Sequence, residues 1–383
     1  MKIAHFSDTH LGNCAFGQIA PSGMCPREED VLETFEKFLN SISSYAPDIV
    51  LHTGDFFESP QPSNATIIKT YHLLSEFQKA RDYRPFVILA GNHDLHKTLG
   101  TGCILQLYRY IQGIIPITSS IVSQSFPEYG VEILAAPVRG IAHIENVSLR
   151  PTSGQRVNVL MAHGLDRSIK DGLSFDFDIR EFHLDLWDYV ALGDYHVRKE
   201  LRRGKVAYSG STDYTSSNPW EEISEKKGWY LFDTEERTLE FIPVEPVRPF
   251  YDLNVIDARG LSGEEIGEKM LESFQKKVGK LKDGKKPVVR QVIENVHPAA
   301  RTEIPSSVYR ELKSLCLSYR YIVSTEKVNS SGLRSGEQSR RRLEEEWKEY
   351  ASKAELPSNI SRDEFIEAGN ALLAEVKDAS EGT

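Results

Sequence analysis

The sequence predicts an α/β fold, and three features carry that prediction. Five apolar runs read as buried strands. Each runs straight into glycine, aspartate, asparagine or histidine, residue types that turn a chain sharply or hold a metal. Amphipathic stretches at helical spacing lie between the first three.

In chain order, Lys2–Ser7 leads into Asp8-Thr9-His10, Asp48–Thr53 into Gly54-Asp55, and Pro85–Leu89 into Ala90-Gly91-Asn92-His93-Asp94. Val157–Ala162 then leads into His163-Gly164, and Tyr189–Leu192 into Gly193-Asp194-Tyr195-His196. A single Asp or His after a strand is ordinary turn chemistry. Five in succession point to one shared metal site at the carboxyl ends of the strands, where an α/β sheet builds its site. The third ending is central, because Gly91 can turn the backbone and present Asn92, His93 and Asp94 together.

Asp8 and His10 are two residues apart, so in extended chain both side chains project to one side and can reach one ion. A loop from Leu11 to Pro26 follows. Arg27-Glu28-Glu29-Asp30 then opens a helix with Val31, Phe35, Phe38, Leu39 and Ile42 on its apolar face, and its acidic first turn suits the helix dipole. Asp55 has two oxygens with which to bridge two cations, whereas His52 lies inside its strand and reads as a core or supporting histidine. Ser63 caps a helix from Ala65 to Lys79 that leaves His72 on the surface.

Ile104–Tyr110 reads as helix and Tyr129–Ala136 as strand. His143 and His183 lack a glycine-turn context and are assigned no chemistry. Further strands are expected at Val206–Ser209, Gly228–Asp233 and Thr238–Val244, and the run Tyr208–Thr212 either lies beside the site or is only a turn. A boundary is expected at Pro246-Val247-Arg248-Pro249. Beyond it come a strand, Phe250–Asp257, a helix, Ser262–Lys277, a basic loop, Lys282–Pro287, and a strand, Val288–Glu294. The loop's charges read first as solvated surface and second as phosphate contacts. Asn329–Gln338 reads as a linker. Two helices, Ser339–Ala354 and one opened by Ser361-Arg362-Asp363-Glu364, follow with too little core to stand alone, so they need a partner surface.

At 383 residues the chain can build a sizeable core and more than one domain, and its 40% hydrophobic and 27% charged residues are ordinary for a globular protein. A formal net charge of -10 argues against binding nucleic acid through overall charge, though not against a local basic groove or bound cations. No stretch approaches the roughly 20 apolar residues of a membrane span, and the N-terminus enters a strand rather than a signal peptide. Cys14, Cys25, Cys103 and Cys316 form no C-x-x-C pair, which speaks against a zinc cage or disulfide framework and fits a reduced cytoplasm. Cys14 and Cys25 share a loop and could bridge, but packing or incidental exposure is the expected role.

Carboxylates, an amide and imidazoles together suit Mn²⁺, Fe²⁺, Zn²⁺ or Mg²⁺. Two such ions about 3.5–4 Å apart can drive an in-line displacement at phosphorus, so the expected reaction is phosphoester hydrolysis. No G-x-x-x-x-G-K-[ST] loop is present, which argues against an ATPase.

Asp8-Thr9-His10, Gly54-Asp55, Gly91-Asn92-His93-Asp94, Ala162-His163-Gly164 and Gly193-x-x-His196 resemble the five motifs of the calcineurin-like metallophosphoesterases. The extended form Asp8–Gly12, followed by Arg27-x-x-Asp30, resembles the SbcD-type nucleases of double-strand-break repair. The resemblance implies a four-layer αββα sandwich over residues 1–245, a smaller α+β capping domain that binds DNA over 246–328, and a linker with C-terminal helices over 329–383 that dock on an SbcC-type ATPase. It further implies that Asp8, His10 and His196 hold one metal, that Asp55 bridges, and that Asn92 and His163 hold the second. His93 would stand by the scissile phosphate as a catalytic group. Asp94 would orient it by accepting a ring N–H.

Asp194 departs from the family, which usually has histidine there as a ligand of the second metal. Aspartate is competent for a hard cation, so Asp194 is expected to be a ligand, against the reading that it only caps the turn. The implied enzyme is a Mn²⁺-dependent, cytoplasmic DNA nuclease, exonucleolytic on duplex ends and endonucleolytic on single strands or hairpins. Homodimers are implied through helices near the first two motifs; the Tyr71–Leu74 face could serve, though core packing explains it equally. Two alternatives stand beside this: a small-molecule phosphodiesterase or phosphatase on the same fold, and a weakly catalytic DNA- or ATPase-binding scaffold.

Overall fold

The structure is a computed structural model, and it describes residues 1–16, 24–96, 102–138, 149–152, 154–169, 175–279 and 284–325. Beyond these it describes 347, 351–352, 361–363 and 365–370. His143, Lys282, Asp283 and the expected linker Asn329–Gln338 lie outside the described residues.

Two six-stranded sheets face each other. The first contains β1 (Lys2–Phe6), β2 (Ile49–Thr53), β3 (Phe86–Leu89) and β4 (Ile114–Ile117), all parallel, with β11 (Gly228–Asp233) and β12 (Thr238–Pro243) added antiparallel beside β1. The second contains β6 (Val131–Ala136), β7 (Val157–His163), β8 (Tyr189–Gly193) and β10 (Val206–Tyr208) in parallel. Its antiparallel edges are β5 (Val122–Phe126) and β9 (Lys199–Arg202).

The near-continuous apolar runs reflect sheets buried on both faces. Ile49 and Leu51 of β2, Val87 and Leu89 of β3, Val159 and Met161 of β7, and Tyr189 and Ala191 of β8 meet between the sheets. Their neighbours Val50, Phe86 and Ile88 point outward into a cluster closed by α1 (Pro26–Tyr45) and α2 (Asn64–Ala80). Period-2 projection therefore gives each strand two apolar faces. On the far side Leu160, Val190 and Leu192 pack with Phe177, Phe182 and Trp187. Among the described residues that fourth layer consists of short 3-10 helices, Ile179–Phe182 and Leu184–Leu186, rather than long helices.

The sequence places α1 and α2 within a residue or two. Pro26 begins α1 because its fixed φ and missing N–H suit a first helical turn, and Ser63 accepts from the Thr66 N–H at 3.1 Å to cap α2. Leu74 is fully buried, Tyr71 and Leu73 pack on the same cluster, and His72 is exposed, so core packing accounts for that stretch. Ile104–Tyr110 is a 3-10 helix.

A third, parallel sheet follows Pro249. The expected strand Phe250–Asp257 is broken into β13 (Phe250–Asp252) and β14 (Ile256–Asp257), both pairing with β15 (Val288–Val296), whose other flank takes β16 (Ser318–Thr325). Helix α3 (Gly263–Val278) opens on a capping box of Ser262 and Glu265. Two helices absent from the sequence reading, α4 (Pro298–Glu303) and α5 (Ser306–Leu315), complete a separate apolar cluster around Ile266, Met270, Leu312 and Tyr319.

Charge rather than apolar packing dominates where this unit meets α1. Arg27, fully buried, donates to Asp213 at 2.8 Å and to Asp30 at 3.2 Å; Arg248 and Lys285 also converge on Asp30, Lys285 at 2.8 Å. Burial alone would raise the Asp30 carboxyl, but these cations hold it below the ordinary range. Near the end of the described chain, Trp347 donates to the Ile366 carbonyl at 3.3 Å and lies 5.2 Å from the Phe365 ring, so the two expected terminal stretches touch.

One cysteine expectation is corrected: Cys14 and Cys25 are joined in a disulfide, while the Cys103 thiol donates to the Asp94 carbonyl at 3.3 Å and Cys316 is buried. The Cys14 and Cys25 backbones stand 5.6 Å apart at Cα, within bridging range, with Cys25 at the start of α1.

Candidate metal centre

The carboxyl ends of β1, β2 and β3 in one sheet and β7 and β8 in the other meet at one place. Two glycines allow the approach. A Cβ on Gly54, whose φ is +105°, would lie 2.2 Å from the His163 ring, and a Cβ on Gly193 would lie 2.1 Å from the Thr53 carbonyl oxygen. Nothing larger fits between the sheets there.

Asp8, His10 and Asp55 have φ of 52°, 50° and 53°, and Asp194 has 96°. The left-handed turns correct the expectation that Asp8 and His10 project together from extended chain. They still converge, because strand pairing ends and Asp8 N and His10 N donate across to Gly54 O and Asp55 O at 3.0 Å each. Non-glycine residues in this region store strain, and their clustering here is characteristic of a functional site.

Ligand-type atoms of Asp8, His10 and His196 lie within 4.8 Å of one another, as do those of Asp8, Asp55 and His163 and those of His10, Asp55 and His93. Asp55 joins the groupings. Its Oδ1 accepts the His93 backbone N–H at 2.9 Å, while Oδ2 stands 3.7 Å from His10 Nε2 and 3.4 Å from His163 Nε2. On one side of Asp55, His10 Nε2 and His196 Nε2 are 3.0 Å apart. On the other, His163 Nε2 lies 3.1 Å from Asn92 Oδ1 and 3.5 Å from Asp194 Oδ1.

The tautomer of His163 follows from its partner. Nδ1 is 2.7 Å from the Thr53 carbonyl, which can only accept, so Nδ1 carries a proton in either charge state and Nε2 is the nitrogen that faces the three oxygens and would be left for a cation. A divalent cation satisfies such a set. Asp194 therefore reaches the second grouping with its side chain while its backbone N donates to both Asp8 oxygens, at 3.0 and 3.1 Å.

Electrostatics agree with a cation site. Burial raises Asp8 to about 7, with Asp55 nearby adding to the rise. Burial would also raise Asp55, but the imidazoles of His163 and His10 hold it below the ordinary range. His163 would be lowered by burial, yet Asp55 and Asp194 hold it well above its usual value. Buried carboxylates and imidazoles packed this closely are the setting in which a bound cation takes the place of ring protons. The donor set, hard oxygens with imidazole nitrogens, fits divalent metals.

Two supporting carboxylates have no local signature in the sequence. Glu58 Oε2 lies 3.1 Å from His10 Nδ1, and Glu222 Oε1 lies 3.5 Å from His196 Nδ1. Glu222 is held in turn by Ser211 at 2.8 Å and by Lys227. Ser211 also donates its backbone N–H to the His196 carbonyl at 3.1 Å, so the run Tyr208–Thr212 does lie beside the site. Carboxylates behind ligand imidazoles fix ring orientation and raise basicity.

Asp94 differs from its expected role. Its oxygens accept the backbone N–H groups of Phe56, Phe57 and Gly91 at 3.1, 2.8 and 2.9 Å, tying the exit of β2 to the exit of β3. Burial and nearby Asp55 push it up to about 6, against those three bonds. The His93 ring is oriented instead by the Glu58 carbonyl, which accepts from Nδ1 at 2.8 Å. Burial would lower His93, but the Asp55 charge and the Glu58 carbonyl raise it above its ordinary value. His52 is buried and bonded to Thr9 at 2.8 Å, a supporting histidine, and His183 terminates a 3-10 helix.

Two facing sheets whose strand ends place these groups around a shared aspartate define a metallophosphoesterase. The chain belongs to the calcineurin-like phosphoesterases, whose family profile matches residues 1–210. The family uses divalent metal ions. Within it, the chain is similar to the DNA double-strand break repair protein Mre11 of Methanocaldococcus jannaschii, at 26% identity over 277 residues, covering 68% of this chain and 71% of that protein. It is 26% identical over 334 residues to the Mre11 of Methanococcus maripaludis, covering 82% and 84%. It is also 24% identical over 289 residues to the SbcD component of the SbcCD nuclease of Staphylococcus epidermidis, covering 67% and 72%.

Proposed function

We infer that the chain is a metal-dependent DNA nuclease subunit that hydrolyses phosphodiesters in double-strand-break repair. The observation that carries the reading is Asp55 Oδ2, poised between His10 Nε2 and His163 Nε2 at 3.7 and 3.4 Å. Asp8, His10 and His196 would hold one ion, Asn92, His163 and Asp194 a second, and Asp55 would be shared between them. When bound, the two cations polarise the phosphoryl group and stabilise charge on the attacking and departing oxygens. Mn²⁺ is the expected metal.

The chain's own residues do the rest. Glu58 and Glu222 hold the His10 and His196 rings in place. His93 keeps Nδ1–H on the Glu58 carbonyl, leaving Nε2 to face the scissile phosphate, where it can deliver a proton to the leaving oxygen. Asp94 keeps the loop that carries Asn92 and His93 in register with Asp55.

Residues 246–328 act as the capping, DNA-binding unit, which agrees with Ser318 and Arg320 of β16 lining the same cleft as His10 and His93. The segment 329–383 docks on an SbcC-type coiled-coil ATPase, and the active species is a cytoplasmic homodimer. Among the described residues no helix is long and apolar enough to cross a membrane.

The test is Mn²⁺-dependent digestion of an end-labelled linear duplex, alone and with the ATPase partner, set against a small phosphodiester. His93→Asn should lower turnover about 10²–10⁴-fold while leaving bound metal unchanged. Cleavage of the small diester alone would transfer the reading to a small-molecule phosphodiesterase.

A further inference from the structure

The cleft over the metal centre has a volume of about 870 Å³ and extends well past the candidate ligands. That is the size of a pocket for one ligand-sized group, within the usual range of roughly 300–1,000 Å³. Its far wall is aromatic. Phe16, Tyr214 and Trp220 line it and rest on the buried ring of Phe250, with centroid separations of 6.2, 4.9 and 6.2 Å. Arg290, paired with Asp252 at 2.9 Å, sits over one face of the Trp220 ring, 4.9 Å from its centroid. These rings are partly exposed and anchored, so they offer flat apolar faces at little entropic cost.

Polar atoms beside the rings point to what would lie on them. Asn13 and Thr215 also line the cleft. Arg320 lines the same cleft and is exposed. Its neighbour across the sheet, Arg290, is neutralised by Asp252, whereas Arg320 has no ion pair among the described residues. Flat rings and a guanidinium with no ion pair among the described residues match the base and the phosphate of a nucleotide.

We propose that this wall is a stacking pocket for one unpaired nucleotide of the strand being cut, with its base on Trp220 and Tyr214 and its phosphate toward Arg320. The proposal rests on the nuclease reading and sharpens it: the strand enters the metal centre with a base out of the helical stack. Paired bases keep their faces covered by neighbours and cannot use such a wall, so substrates with frayed or unpaired ends gain binding that a fully stacked duplex does not.

The probe is a short single strand with 2-aminopurine as its terminal base, whose fluorescence is quenched by aromatic stacking. It is used with Mn²⁺ in a His93→Asn background, so that binding is read without cutting. The parent should quench the probe. Trp220→Ala should weaken binding on the order of 10-fold and remove the quenching, and Trp220→Phe should restore both. Trp220→Leu keeps the apolar contact with Phe250 but removes the stacking face, which covers a failure of the alanine variant to fold. The proposal is overturned if Trp220→Leu quenches and binds like its parent, or if an abasic strand binds as tightly as one bearing the base. A chain that quenches the probe through Trp220 but cuts no DNA keeps the pocket and loses the nuclease reading; one that cuts DNA with no dependence on Trp220 does the reverse.

Discussion

The two halves of the metal centre are built differently. Around His10 and His196, two imidazoles face each other at 3.0 Å, and each has a carboxylate behind it, Glu58 and Glu222. Around His163 a single imidazole is backed by a neutral carbonyl, and its companions are the exposed Asn92 and the half-buried Asp194. The first half is rigid, basic and enclosed, and the second is harder, more oxygen-rich and open to solvent. Affinity should therefore be unequal: at limiting Mn²⁺ the His10–His196 half fills first.

The largest effect should come from the residue common to both halves. Asp55→Asn keeps an acceptor for the His93 N–H but removes the charge at Oδ2. Turnover should fall by on the order of 10³-fold or more, and metal analysis should find both ions depleted. Full occupancy in that variant would dismiss the bridging role. Next, Glu58→Gln should weaken Mn²⁺ in the first half alone, by about 10–100-fold, read by titration calorimetry. An equal loss in both halves would erase the contrast between them. The smallest effect is expected from Asp194→His, which gives the second half a second imidazole in place of a charged, harder oxygen donor: its Mn²⁺ affinity should fall about severalfold while the first half is unchanged, whereas Asp194→Ala should empty the second half. If Asp194→Ala binds two ions like the parent, Asp194 is only a turn residue.

Much of this is legible in the chain because strand runs and their endings are local. Asp8, His10, Asp55, Asn92, His163, Asp194 and His196 each close an apolar run, and the structure brings them together. Glu58 and Glu222 are not legible. Each is one acid among many, and its partner imidazole is 48 or 26 residues away, a relation that only the folded sheets create. Asp94 departs from expectation for a similar reason: it sits beside His93 in sequence, but its carboxylate is claimed by amides of another loop. The break between β13 and β14, the helices α4 and α5, and the ion cluster at Asp30 likewise depend on what packs across from them. The Cys14–Cys25 bridge runs against expectation because composition speaks to compartment, while bridging depends on how one loop folds.

The left-handed turns at Asp8, His10, Asp55 and Asp194 limit how this site can drift over evolutionary time. Aspartate, asparagine and histidine enter that backbone region more readily than other side chains, and all three can ligate a hard cation. Exchange among them leaves the loop intact, so a change between aspartate and histidine at position 194 would retune the site without remaking the turn. Glutamate, with the same carboxylate, lacks that conformational ease. Backbone geometry thus selects the alphabet from which these ligands can be drawn, and chemistry chooses among its few letters.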